Sequence, residues 1–391
     1  MDFTNLKNFM DDMARERTPG NAVEVYLDGK SVFRYASGYA DIETKTSMTG
    51  EEMFYIYSCT KIATATAGMQ LLERGKILLN EPLYEYIPEF KDMCVKTPEG
   101  NLVKAENPIT IGDLFKMTAG FDYNLKSPGI QKAREITNGK MDTVDVVKCL
   151  ASEPLSFQPG TNWQYSLCHD VLAAVISVVS GKKFRDYVRE NLFEPLGMTE
   201  SVYHNTPETI KRMASQYCFV SYEDKVQDAV EAQKNGSAKD GFLQNAGKGN
   251  GFILGEEYDS GGAGIITTVP DYMKLIAALA NRGMGLTGER ILSGYAVDLM
   301  RTDHLTPEQK KGYNWRSCAG CGYGLGVRTH TTPAQSGIIS NLGEFGWGGA
   351  AGSSVIVDPT IRLGVFYVQH TLNPREHYYQ PRLRNVVYSC L

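Results

Sequence analysis

The sequence predicts an α+β fold, an α/β sandwich whose antiparallel sheet is assembled from both ends of the chain. Three observations carry that prediction. Strand-like alternation lies between Ala22 and Tyr39 and returns between Tyr323 and Gln369. Helical periodicity dominates the stretch between them. A polar, Gly-rich stretch without periodicity, 223–262, interrupts the middle of the chain. The economical arrangement is a sheet domain, 1–75 with 263–391, flanked by helices. A mostly helical domain, 76–262, is inserted in it and includes the long loop 223–262.

The elements follow in order. Phe3, Leu6, Phe9, Met10 and Met13 recur at helical spacing and predict a helix over 3–16. Strands are predicted at Ala22–Leu27 and Val32–Tyr39, joined by the hairpin signal Asp28-Gly29-Lys30. Ile62, Ala65, Met69 and Leu72 give one apolar face to a helix from Cys59 to Arg74, which Gly75 ends. Short helices are predicted at Ile111–Lys116 and Thr143–Leu150. A buried helix is predicted at Val171–Ser180 and another at Phe184–Leu192. Pro270–Arg282 reads as a helix. Tyr323–Thr329, Ser353–Val357 and Leu363–Gln369 read as strands, the last two joined by the Pro359 turn. A C-terminal helix is expected over 376–389.

Bulk properties exclude several functions. The net charge of −5, from 40 basic and 45 acidic side chains, leaves no basic footprint for nucleic acid. No apolar run is long enough to span a bilayer, and the charged N-terminus lacks a signal-peptide core. The eight cysteines are therefore expected to be free thiols in a cytoplasmic protein. Cys318-Ala319-Gly320-Cys321 is a lone C-x-x-C without a second ligand pair, so no metal site is expected there. G-x-S-x-G and H-E-x-x-H motifs are absent from the sequence.

The chemistry centres on Ser58-Cys59-Thr60-Lys61 at a helix start. Residues three apart share a helix face, so Lys61 can lie beside the Ser58 hydroxyl. The helix N-terminus favours a developing oxyanion. The plain alternative is an N-cap serine with a solvated lysine one turn later. Roughly one S-x-x-K arises by chance in a chain of this length. A second copy, Ser180-Gly181-Lys182-Lys183, sits at a helix end, where Gly181 breaks the geometry. Cys59 is a rival nucleophile, but it points about 100° away from Ser58 around the helix. Tyr165 lies on a loop after the Pro159-Gly160 turn, beside a buried helix. Trp347-Gly348-Gly349-Ala350 precedes a strand, where glycines mark close approach of a ligand or another backbone.

In order, Ser58-Cys59-Thr60-Lys61, Tyr165-Ser166-Leu167 and Trp347-Gly348-Gly349 resemble the motifs of the serine β-lactamase and penicillin-binding transpeptidase superfamily. The nearest likeness is to its class C-like branch and, within that, to the β-lactamase-like carboxylesterases. Phe193-Glu194-Pro195-Leu196-Gly197 and Ser260-Gly261-Gly262-Ala263-Gly264 are similar to segments of the same branch. The resemblance implies that Ser58 attacks a carbonyl while Lys61 and Tyr165 move protons. It makes the backbone N–H groups of Ser58 and Ala350 the oxyanion hole. Trp347, Gly348, Gly349 and Leu167 would face a small-molecule ester or amide, with no metal or organic cofactor.

Two departures narrow the expectation. Leu167 replaces a usual Asn, and Trp347 replaces a usual Lys that would pair with a substrate carboxylate. Both point away from β-lactams and toward esters. A β-lactamase or D-stereospecific peptidase of the same fold, and a catalytically silent ligand-binding or scaffold member, are the alternatives.

Overall fold

The structure is a computed structural model that describes residues 1–221 and 241–391. Eight strands form its main sheet: β1 (Gly20–Leu27), β2 (Lys30–Asp41), β3 (Thr46–Ser47), β4 (Cys321–Tyr323), β5 (Arg328–His330), β6 (Phe345–Gly346), β7 (Ser354–Asp358) and β8 (Leu363–Val368). Their spatial order is β4-β5-β6-β7-β8-β1-β2-β3, with every pairing antiparallel. The two ends of the chain meet at the β1–β8 pair, where Val25 lies opposite Val365. Asp28 and Gly29 close the β1–β2 hairpin with φ of 46° and 88°, the paired positive values of a type I′ turn.

Five helices position the site: α1 (Thr4–Glu16), α2 (Thr60–Glu73), α3 (Cys168–Ser180), α4 (Val269–Ala280) and α5 (Glu376–Ser389). Side chains alternate across a strand, so the sheet has two apolar faces. Val23, Val25, Val365 and Tyr367 pack with Leu6 and Met10 of α1 and with Leu383 and Val387 of α5. Ala22, Tyr26, Phe366 and Val368 belong to the larger core on the other face. There the Tyr272 ring of α4 meets Phe366 at 5.0 Å between centroids. Burying each large apolar side chain contributes about 1.5–3 kcal/mol.

Helix α2 departs from its sequence pattern. Instead of presenting one apolar face, it is buried from Thr60 through Leu71. Its threonines satisfy their hydroxyls within the core: Thr66 Oγ1 donates to the Ile62 carbonyl one turn back at 2.7 Å, and Thr64 Oγ1 to the distant Gly261 carbonyl at 2.6 Å. A helix enclosed on all sides needs small residues where neighbours crowd it. Gly68 is such a position, since a Cβ there would lie 2.5 Å from the Phe115 ring.

Other expectations are also corrected. The strand predicted at Tyr323–Thr329 is two strands, β4 and β5, around a tight turn in which Gly324 N–H donates to the Val327 carbonyl at 2.7 Å. The turn packs against α2 and α3: a Cβ on Gly326 would fall 2.7 Å from Ala65 and 2.8 Å from the His169 ring. Of the predicted loop 223–262, residues 223–240 lie outside the described residues. Gly241–Gly247 is a strand paired with Gln216–Ser221, and 248–262 is loop and turn. The helix predicted at Phe184–Leu192 is α-helical only to Val188 and continues as a π-turn over Arg189–Phe193. Helices Pro128–Ile136 and Gly294–Arg301 were not anticipated, although Ser127 and Ser293 cap them with side-chain hydrogen bonds.

Candidate active site

Ser58 lies in a 3₁₀ turn, Tyr57–Cys59, that leads directly into α2. The preceding residue, Tyr57, has φ of 44°, a left-handed conformation costly for a bulky side chain. Its surroundings hold it there. The Tyr57 hydroxyl donates to Gln216 Oε1 at 2.5 Å, and its ring meets Phe252 edge-on at 5.8 Å. The half-buried Ser58 hydroxyl thus faces a cleft of about 680 Å³.

Lys61 is one helical turn further on and fully buried. Its Nζ donates to the Gly262 carbonyl at 2.8 Å, to Ser58 Oγ at 3.3 Å and to Tyr123 Oη at 3.4 Å. Burial lowers its pKa from 10.5 to about 7, against an opposing pull from the Asp170 carboxylate. Near neutral pH an appreciable fraction of Lys61 is therefore a neutral amine, able to accept a proton. Tyr165 approaches from the opposite wall, and its hydroxyl donates to Ser58 Oγ at 2.5 Å. Burial pushes the Tyr165 pKa up, partly opposed by its hydrogen bond to Ser58. The Tyr165 ring stacks on Trp347 at 5.7 Å and on Tyr123 at 5.4 Å, which fixes its aim.

The remaining predicted residues divide. Trp347, Gly348 and Ala350 line the cleft with Ser58 and Tyr165. Neither the Ser58 nor the Ala350 backbone N–H has a hydrogen-bond partner among the described residues. Gly349 is buried instead, because a Cβ there would strike the Ile56 carbonyl and the Ser353 hydroxyl. Its role is close approach of this loop to the Ser58 turn. Leu167 corrects the expectation of a substrate contact: it is 3% exposed, caps the start of α3 and is absent from the cleft lining. An apolar side chain at that position turns into the core.

Rival groups are excluded by geometry. The Cys59 thiol is buried, donates to Ser353 Oγ at 3.2 Å and is pushed up to about 12 by burial. Ser180 donates to the Ser177 carbonyl at 3.4 Å, while Lys183 pairs with Glu257 at 2.6 Å on the surface. Gly181 between them has φ of 68° and ends α3. The second S-x-x-K is therefore a helix terminus.

Sequence reasoning missed Tyr123, Phe252, Trp315 and Glu376, all of which line the cleft. None sits in a motif. Trp315 was the most accessible signal, as one of only three tryptophans in the chain.

The chain matches the family model described as Beta-lactamase across residues 6–388. It is 29% identical over 387 residues to esterase EstB of Burkholderia gladioli, covering 94% of this chain and 90% of that protein. It is 29% identical over 294 residues to lovastatin esterase of Penicillium rubens, covering 72% and 67% respectively. Among solved structures, EstCE1, a hydrolase with promiscuous acyltransferase activity, superposes with a TM-score of 0.76 at 24% identity. That match covers 98% of this chain and 97% of the other.

Proposed function

We propose that this chain, which belongs to the β-lactamase family, is a serine hydrolase that cleaves small esters through an acyl-enzyme intermediate. One observation carries the reading: Ser58 Oγ is within hydrogen-bond reach of both Lys61 Nζ and Tyr165 Oη. In the first half-reaction, Ser58 Oγ attacks the ester carbonyl as neutral Lys61 and the Tyr165 oxygen relay its proton. The carbonyl oxygen becomes an oxyanion held by the Ser58 and Ala350 N–H groups. Collapse expels the alcohol, which takes a proton back through Tyr165. Water then repeats the sequence on the acyl-enzyme and regenerates Ser58.

Esters are favoured over amides because their leaving groups need less exact protonation. Trp347 supplies an aromatic wall where a β-lactamase-like cation would meet a carboxylate. In this reading the cleft lies between the sheet domain, 1–75 with 263–391, and the inserted domain, 76–262. Among the described residues, no helix is long and apolar enough to cross a membrane. The eight free thiols support a cytoplasmic setting.

A fluorophosphonate probe tests the nucleophile. Wild-type protein is expected to be labelled stoichiometrically and Ser58→Ala not at all. Equal labelling of the two, or no labelling of wild type, would reject Ser58. Parallel turnover of p-nitrophenyl butyrate, nitrocefin and a D-alanine amide tests the substrate class, with the ester expected to dominate.

A further inference from the structure

Among the described residues, the cleft lining contains one acid, and the reaction above does not use it. Glu376 opens α5 and lines the cleft that also holds Ser58, Trp347 and Ala350. An acid in the first turn of a helix is favoured by the helix dipole, but Glu376 accepts no hydrogen bond from the first turn of α5 or from any other described residue. Among the described residues no basic group offsets it either, and burial raises its pKa to about 7.

Among the described residues, the other charges around the cleft are Arg328, Arg384, Lys126 and Lys61. Arg328 is bound twice to Glu344, at 3.0 and 2.6 Å. Arg384 is buried and donates to the Ser317 carbonyl at 3.3 Å. Lys126 is exposed on the cleft lining contributed by the other wall, and Lys61 lies under Ser58. On α5 itself, the Arg375 guanidinium lies over the Tyr378 ring at 5.7 Å, and neither Arg375 nor His377 is without a partner. A carboxyl with no partner among the described residues therefore shares a cleft with five aromatic rings, those of Tyr123, Tyr165, Phe252, Trp315 and Trp347. Their faces already attract cations, as Lys61 Nζ at 4.5 Å from the Tyr165 ring centre shows.

We infer that Glu376 is a specificity-determining residue that selects esters bearing an alkylammonium or quaternary ammonium group. The aromatic rings would take the apolar shell of the cation and Glu376 its charge. A substrate carboxylate would meet the same side chain as a like charge. The inference rests on the ester-hydrolase reading for its substrate but not for its binding site.

Butyrylcholine and 3,3-dimethylbutyl butyrate differ only in N⁺ for C, so the ratio of their kcat/KM values isolates the charge. At pH 8 the wild type is expected to prefer the choline ester roughly tenfold, and Glu376→Gln to bring the ratio near unity. Lowering the pH to 6 protonates Glu376 and is expected to shrink the ratio in wild type. Loss of the Lys61 base slows both esters and largely cancels in the ratio. The pH dependence of the ratio should flatten in Glu376→Gln. A wild-type ratio at or below one, or a ratio unchanged by Glu376→Gln, would overturn the inference. If that variant fails to fold, the wild-type pH series decides, and a pH-independent ratio overturns it.

Calorimetric titration with phenyltrimethylammonium separates the two readings. Binding that weakens at pH 6 without turnover of any ester keeps the cation site and rejects ester hydrolysis. Ester turnover without phenyltrimethylammonium binding rejects the cation site and leaves ester hydrolysis standing.

Discussion

The phenolic hydroxyl of Tyr165 lies 2.5 Å from Oγ of Ser58, although 106 residues of chain separate them. Two independent stacks, on Tyr123 and Trp347, hold the tyrosine ring. Replacing the hydroxyl alone should leave that packing intact. Tyr165→Phe is therefore expected to keep the wild-type melting temperature within a few degrees while kcat/KM for p-nitrophenyl butyrate falls by about 10²–10⁴. A loss smaller than about threefold would remove Tyr165 from the proton path.

Lys61 makes opposite demands on activity and stability. As the proposed base it can act only when neutral, so kcat/KM should climb with pH through about 7. Lys61→Met should lose about 10³-fold or more in acylation rate. The folded-state pKa is depressed from 10.5 to about 7, so between those values the unfolded chain binds the extra proton. Stability contributed by this site therefore rises with pH across that window and is penalised at neutral pH. Lys61→Met removes the penalty. Its melting temperature should exceed that of wild type at pH 7 and approach it toward pH 10. A variant that melts lower than wild type at pH 7 would contradict the burial cost assigned to Lys61.

Gly349 is required by contact. A methyl group there would strike the Ile56 carbonyl and Ser353 Oγ, both part of the framework around the Ser58 turn. Gly349→Ala is expected to destabilise the fold by about 1–3 kcal/mol in urea unfolding. It should also reduce kcat more than it raises KM, because the Ala350 N–H shifts relative to Ser58. An unchanged kcat would mean that the loop relaxes without moving the oxyanion donors.

Arg328 and Glu344 form a buried, doubly hydrogen-bonded ion pair, 4% and 0% exposed at their side chains. Glu344→Gln leaves the Arg328 charge without its counterion, near a second buried guanidinium, Arg384. A loss of about 3–5 kcal/mol is expected by urea titration at pH 7. Burial raises the Glu344 pKa, but Arg328 outweighs it and holds it below the ordinary carboxylate value. That contribution is present above the unfolded pKa and lost as pH falls through the folded one. The wild type should therefore show a stability loss on acidification that Glu344→Gln lacks. Parallel pH curves for the two proteins would remove this pair from the acid response.

Much of this was legible in the chain. The Asp28-Gly29 hairpin, the strands before it and after Leu363, and the helix over 376–389 follow from turn chemistry and periodicity that neighbouring residues enforce. The Tyr323–Thr329 segment misled because Gly-Leu-Gly is apolar and extended in composition. Only packing against Ala65 and His169 folds it into a turn. Leu167 misled in a similar way: a motif position suggested substrate contact, whereas its apolar side chain belongs to the core at the head of α3.

By itself the sequence determined the pair proposed to react. Ser58 and Lys61 are three residues apart at a helix start, and that local geometry brings their side chains together without help from the rest of the chain. It also separated this pair from Ser180 and Lys183, because Gly181 ends a helix wherever the helix is placed. Only the tertiary structure decided what surrounds the pair. Burial of α2 on all sides strips water from Lys61 and moves its pKa toward neutrality. The meeting of four distant segments puts Tyr123, Trp315, Trp347 and Glu376 into one cleft. Desolvation and convergence depend on which surfaces meet, and no spacing along a chain encodes them.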